Sequence, residues 1–306
     1  MPDKRAYTAG KYALEVGRIA AGWIQKFSGG SATAEVVTEK IGIDHLARKH
    51  LAGVKYEDIV LEVGTGMSKG FYEWIKAAWD GKSVRQDGAV IVTDYDFKEQ
   101  SRKTFHLALI TETVLPALDA ASKDAAKMTV KLTPEWVRTT TGSGKQISTA
   151  GGNAQAQKKW LPSNFKLDIP GLDCTRVNKI GELVVKQKVV DNPVGELRDY
   201  EKDPGHLEFG NLTVTMAESL ADSWYKWFEE FVIKGNCGQD QEKSGSLVYL
   251  ASDMKTELLR VSLSNLGIFK LAEEHVEAGS EGIRRVKAEL YVERMQFQYG
   301  GAMTFA

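Results

Sequence analysis

The sequence predicts a mainly β chain of the α+β class, built as two tandem β-barrel or sandwich domains with one flanking α-helix each. Three observations carry this. Short segments with period-two alternation recur, such as YALEV at 12–16 and AVIVT at 89–93. One segment in each half has helical spacing instead: Phe71, Trp74, Ile75 and Ala78 in the first, Trp224, Trp227, Phe228 and Phe231 in the second. The sequence also matches itself at an offset of 153 positions, the distance from Tyr12 to Phe165, without gaps over residues 12–79.

Residues 12–16 (YALEV) fall on 165–169 (FKLDI), a leading strand in each half. Residues 35–37 (EVV) fall on 188–190 (KVV), a second strand. The polar stretches 38–55 and 191–208 are longer than a hairpin needs and are expected to be long loops. Residues 56–59 (YEDI) fall on 209–212 (FGNL) and open the next strand. Ser68 is a fitting N-cap for a first helix that runs to Trp79. Residues 71–74 (FYEW) fall on 224–227 (WYKW), and this Tyr-x-Trp register is the most telling part of the match. Phe71, Tyr72, Trp74, Trp224, Tyr225 and Trp227 are expected as core anchors, since an indole buries about 150–250 Å². After small shifts, 89–93 (AVIVT) meets 246–250 (SLVYL) and 130–132 (VKL) meets 286–288 (VKA). A further strand and a short helix are expected between them in each copy.

Residues 138–157 (RTTTGSGKQISTAGGNAQAQ) are polar and glycine-rich with no apolar period. The expected domains are therefore 1–138 and 164–306, with a linker or loop at 139–163.

The bulk numbers narrow the function classes. A chain of 306 residues with 42% hydrophobic and 26% charged residues is ordinary globular composition. A net charge of -1 gives no global basic field for nucleic acid. Two cysteines, Cys174 and Cys237, cannot build a disulfide framework, and no C-x-x-C pair exists for zinc; a reducing compartment is the simplest expectation. No run approaches the roughly 20 apolar residues of a membrane helix, so no membrane anchor is expected.

Two glycine-rich stretches invite a ligand. The strand-like IVLEV at 59–63 leads into Gly64, Gly66 and Gly70 ahead of a helix, as in an S-adenosylmethionine loop. The third glycine position is Ser68, however, and Asp94 lies beyond the spacing of a ribose-binding carboxylate. The second copy has no glycine there. TTGSGKQIS at 140–148 lacks the hydroxyl after Lys145 that a phosphate loop needs for magnesium. His45 and His50 are five apart, which does not place them on one helix face as metal ligands. No catalytic residue, cofactor or metal is expected.

The leading strand, then Gly22-Trp23 before Ser28-Gly29, then Leu61-x-x-Gly64, then Trp74 on a helix ending at Gly81, then a strand ending at Asp94, resemble the tail tube protein family of contractile-tailed phages and injection systems. The second half keeps Trp227, Gly235 and the strand at 247–250 but lacks the Leu-x-x-Gly turn. The resemblance implies a tube or hemolysin-coregulated-protein fold in two tandem copies. It also implies a non-enzymatic function: rings of domains joined at their sheet edges stack into a hollow tube for DNA or effectors.

The implied partners are other copies of the chain, a surrounding sheath protein, and baseplate and tail-terminator proteins. DNA or effector passes without sequence-specific binding. Six domains per ring favour a trimer with pseudo-sixfold symmetry over a hexamer. The implied location is a virion tail or injection particle, made in the host bacterial cytoplasm. Thr38, His45, Lys49 and Lys55 in the first long loop, and Asp191, Arg198, Lys202 and Glu208 in the second, are the candidate inter-subunit contacts. The rival readings are a baseplate or tube-cap component with the same domain, or a methyltransferase using the loop at 64–70.

Overall fold

The computed structural model describes residues 10–40, 46–147, 160–194, 199–274 and 283–300. The first half contains β1 (Lys11–Val16), β2 (Ile19–Ile24), β3 (Lys26–Gly29), β4 (Ala32–Glu39), β5 (Arg48–Tyr56), β6 (Ile59–Val63), α1 (Lys69–Trp79), β7 (Gln86–Thr93), β8 (Glu99–Leu115), β9 (Leu118–Asp119), β10 (Met128–Thr133) and β11 (Trp136–Thr141). The second contains β12 (Phe165–Asp168), β13 (Val177–Ile180), β14 (Leu183–Asn192), β15 (Glu201–Phe209), β16 (Leu212–Ala217), α2 (Asp222–Phe228), β17 (Lys243–Leu250), β18 (Glu257–Glu273) and β19 (Arg285–Tyr299).

Each half winds its strands in the same spatial order. The first runs β1-β7-β8-β10-β6-β3, with β2 added outside β1. The second runs β12-β17-β18-β19-β16-β13. All of these pairings are antiparallel. The 17-residue strands β8 and β18 let each sheet curl back on itself. Leu107 in β8 and Asn265 in β18 take positive φ, 47° and 55°, Leu107 where β8 passes from the β7 ladder to the β10 ladder and Asn265 beside the end of the β17 ladder.

Ser68 caps α1, its Oγ accepting the Phe71 N–H at 3.3 Å, as the sequence predicts. α1 buries Phe71, Tyr72, Trp74, Ile75, Ala78 and Trp79, and the Trp74 indole N–H donates to the Val84 carbonyl at 2.8 Å. α2 is shorter and runs into a π turn at Glu229–Ile233, burying Trp224, Trp227 and Phe231. One continuous apolar core takes in residues from Leu14 in the first half to Phe297 in the second.

Four sequence expectations are corrected. The stretches 38–55 and 191–208 are not long loops: their described residues are largely the paired strands β4–β5 and β14–β15, forming two hairpins. No short helix lies between β8 and β10 among the described residues; β9 and a turn occupy that place. The linker does not begin at 139, because Thr139, Thr140 and Thr141 pair with Lys103, Arg102 and Ser101 of β8. Its next residues stay tied down, with the Gly142 and Gly144 N–H groups donating to the Gln100 and Glu99 carbonyls. Residues 148–159 of the linker lie outside the described residues. Tyr225 is not a core anchor: it is 37% exposed, whereas Tyr72, Phe71, Trp74, Trp224 and Trp227 are buried.

Candidate assembly interface

The halves meet strand to strand. β14 pairs with the end of β8, placing Leu183 opposite Leu115, Val184 opposite Val114, Val185 opposite Thr113 and Lys186 opposite Glu112. β13 continues the contact, with Ile180 opposite Leu118 of β9. Leu115, Leu118, Ile180, Leu183 and Val185 are buried, so this edge is both hydrogen-bonded and dry.

Helix α1 closes the other side of the joint. The Tyr72 ring stacks on Tyr299 and Phe297 of β19, with centroids 5.4 and 6.4 Å apart. Trp79 meets Phe297 edge-on at 5.4 Å. Burial pushes the Tyr72 hydroxyl well above the ordinary phenol range. Tyr225 has no such cover, which is the physical reason it stays exposed while its counterpart is buried.

The β14–β15 hairpin then reaches across the first half. Gln187 Nε2 donates to Ser83 Oγ at 3.2 Å, and Arg85 Nη2 donates to the Lys202 carbonyl at 2.7 Å. Near the tip, the Tyr56 hydroxyl donates to the Asp199 carboxylate at 2.8 Å, and Arg138 contacts both groups. A cleft of about 470 Å³ lies under the hairpin. Its charges neutralise one another: Lys131 with Asp58 at 2.8 Å, Lys186 with Glu112 at 3.4 Å, Lys188 with Glu208 at 2.9 Å, and Lys202 with Asp191. Such a cleft is a cross-braced contact rather than a site tuned for one sign of ligand.

Asp191, Lys202 and Glu208 are thus brought together at the joint. Thr38, Lys49 and Lys55 stand on the separate β4–β5 hairpin, Thr38 opposite Lys49. That hairpin forms a two-stranded sheet of its own. His45 and Arg198 lie outside the described residues. The residues missed were Leu183, Val185 and their partners on β8. The run LVV at 183–185 is their signal, but nothing local says which edge it joins.

The glycine corner is closely packed. Gly66 turns at φ 103°. A Cβ at Gly22 would stand 2.7 Å from the buried Met67 sulfur, and the Ser68 N–H donates to the Ala21 carbonyl at 2.7 Å. The strand that leads into this corner, β6, is paired antiparallel on both sides, unlike the parallel crossover sheet of a nucleotide site. Among the described residues, no group of three or more His, Cys, Asp or Glu gathers to hold a metal. Cys174 and Cys237 are unpaired.

Residues 8–138 match the family described as T4-like virus tail tube protein gp19. The match spans less than half of the chain, and over these residues the chain is similar to tail tube proteins. The matched region takes in the β4–β5 hairpin, α1 and the strand β8 that receives β14. Solved structures with likeness to the chain include a component of the PVC sheath-tube complex of an extracellular contractile injection system in the extended state. It is 18% identical over 45% of this chain and 93% of that chain, with a TM-score of 0.40. The tube-terminating cap of the anti-feeding prophage is 16% identical over 50% and 100%, TM-score 0.42. Hcp1 from Flavobacterium johnsoniae is 14% identical over 44% and 95%, TM-score 0.29. No curated protein matches the chain.

Proposed function

We propose that this chain is a structural subunit of the inner tube of a contractile phage tail or phage-like injection system. It assembles by ring formation and ring stacking into a hollow conduit for DNA or effectors, and it has no catalytic role. The observation that carries the reading is the joint between β8 and β14. Two similarly wound units share a strand edge, the kind of contact that repeats around a ring. The tail tube match over residues 8–138 supplies the setting.

In this reading the two halves are tandem tube-type domains, the second at 164–306, joined by the residues that follow β11. The shared strand order of the two halves supports it. Three chains then supply the six domains of a ring with pseudo-sixfold symmetry, in preference to a hexamer. A sheath protein surrounds the tube, with baseplate and tail-terminator proteins at its ends. The cargo passes without sequence-specific binding, in keeping with a net charge of -1. The particle is a virion tail or injection device assembled in the host bacterial cytoplasm.

Sedimentation and negative-stain microscopy of the purified chain test this. Rings or tubes are expected, with no shift in melting temperature on adding S-adenosylmethionine or nucleotides. A monomer at every concentration, stabilised by such a ligand, would overturn the reading.

A further inference from the structure

The joint between the halves has an unfilled counterpart at each end of the chain. Inside the chain, the edge of β14 pairs with residues 112–115 of β8. The counterpart of β14 is the region of β4, reached by the same offset of 153 positions that relates Tyr12 to Phe165. The counterpart of 112–115 is 270–273 of β18. Ile110 lies opposite Leu132 and Ile268 opposite Leu290, and both ladders skip one residue beside that pair. Among the described residues, β4 pairs only with β5. Among the described residues, 270–273 pair with β19 alone, and the β17 ladder ends at Leu266.

The side chains around these edges are uncovered in the same pattern. Val36 and Leu51 face each other across the β4–β5 hairpin and are 53% and 63% exposed. Their counterparts in the β14–β15 hairpin, Val189 and Pro204, are half-buried against the first half. Tyr225 and Val232 are exposed on α2 and its π turn, while their counterparts Tyr72 and Trp79 are buried against β19.

The charges differ between the two edges. Glu112 on β8 meets Lys186 of the hairpin, followed by Lys188. At the open edge the strand carries Lys270 in place of Glu112, and the hairpin carries Thr33 and Glu35 in place of Lys186 and Lys188. Inside the chain Glu112 is met by Lys186; at the open edge Lys270 lies 3.0 Å from Glu289 of its own half, and Glu35 lies 4.0 Å from Lys55 of its own hairpin, as Lys188 pairs with Glu208.

We infer that the β4–β5 hairpin of one chain pairs with β18 of a second copy of the same chain, head to tail. The expected register sets Gly30 opposite Glu273, Ser31 opposite Ala272, Ala32 opposite Leu271 and Thr33 opposite Lys270. The alternation follows from which edges are open: the edge at 112–115 is already taken by β14 of the same chain, whereas 270–273 carries β19 on one side alone among the described residues. The contact is heterologous, so it closes into a ring or propagates according to its rotation. This deepens the tube reading and depends on it for its biological setting.

A disulfide trap decides it. In full-length chain with Cys174 and Cys237 changed to Ser, the pair A32C/L271C is oxidised and run on non-reducing gels. T113C/V185C, the corresponding intrachain pair, serves as the geometric control. Covalent multimers from A32C/L271C, with intrachain closure from T113C/V185C, are expected. Multimers without any tube or ring by microscopy would support the joint and overturn the tube reading. Tubes without A32C/L271C multimers would leave the tube reading standing and overturn the joint. A chain that neither cross-links nor assembles would overturn both.

Discussion

Lys186 of β14 faces Glu112 of β8 across the joint between the halves, Nζ 3.4 Å from Oε1, with both side chains partly in solvent. Beside them, Leu183 faces Leu115 with both side chains fully buried. Screening makes the ion pair a selector of partners rather than a source of cohesion. A double-mutant cycle of K186A and E112A is therefore expected to give a coupling below about 1 kcal/mol. L183A is expected to cost about 2–5 kcal/mol, because it empties a dry contact. Urea unfolding of the four variants checks both values.

The two aromatic helices predict a contrast between residues that look alike in sequence. Trp74 is 2% exposed and its indole N–H is used, so W74A is expected to lose about 3–5 kcal/mol in thermal or urea unfolding. Y225A removes an exposed ring and is expected to stay within about 0.5 kcal/mol of the parent under dissociating conditions.

Gly22 tests whether the glycine corner is structural. Its φ of 137° and the nearby Met67 sulfur leave no place for a side chain. G22A is expected to cost about 1–3 kcal/mol. The pairing of G22A with M67A is expected to be non-additive in the same unfolding experiment, since removing the sulfur relieves part of the clash.

Asp253 gives a pH dependence with a definite sign. It accepts hydrogen bonds from the Thr256 hydroxyl and from the Thr256 and Lys255 N–H groups. These hold its carboxyl at about 2, below the ordinary 3.8. A folded value below the unfolded one means the stabilisation is present above the ordinary value and lost as pH falls through about 2. The melting-temperature gap between the parent and D253A is expected to be widest near neutral pH and to close toward pH 2. Carboxyl NMR titration reports the same midpoint directly.

The sequence shows the elements whose residues alternate strongly or cap cleanly. The alternation at 12–16 marks β1, and Ser68 with Phe71, Trp74 and Ala78 marks α1 and its buried face. The hairpins stayed hidden because β4 and β5 are exposed along much of both faces, leaving no apolar alternation to find. The start of the supposed linker stayed hidden for a related reason: Thr139, Thr140 and Thr141 form an exposed edge of β8, and threonine reads equally as strand or loop. Tyr225 was misjudged because self-alignment transfers residue type, not surroundings. Tyr72 is buried by Phe297 and Tyr299, which come from the other half of the chain. The joint itself was legible only as apolar residues at 183–185; their partner edge is set by the tertiary fold.

The central claim is that this chain builds a tube ring from paired units, and averaged end-on electron micrographs of the assembled protein test it most directly. Three chains in a single-layer ring, seen as six lobes in two alternating kinds, are the predicted result. Six complete chains around one single-layer ring would contradict the trimeric arrangement, and a chain that forms no ring at any concentration would contradict the account as a whole.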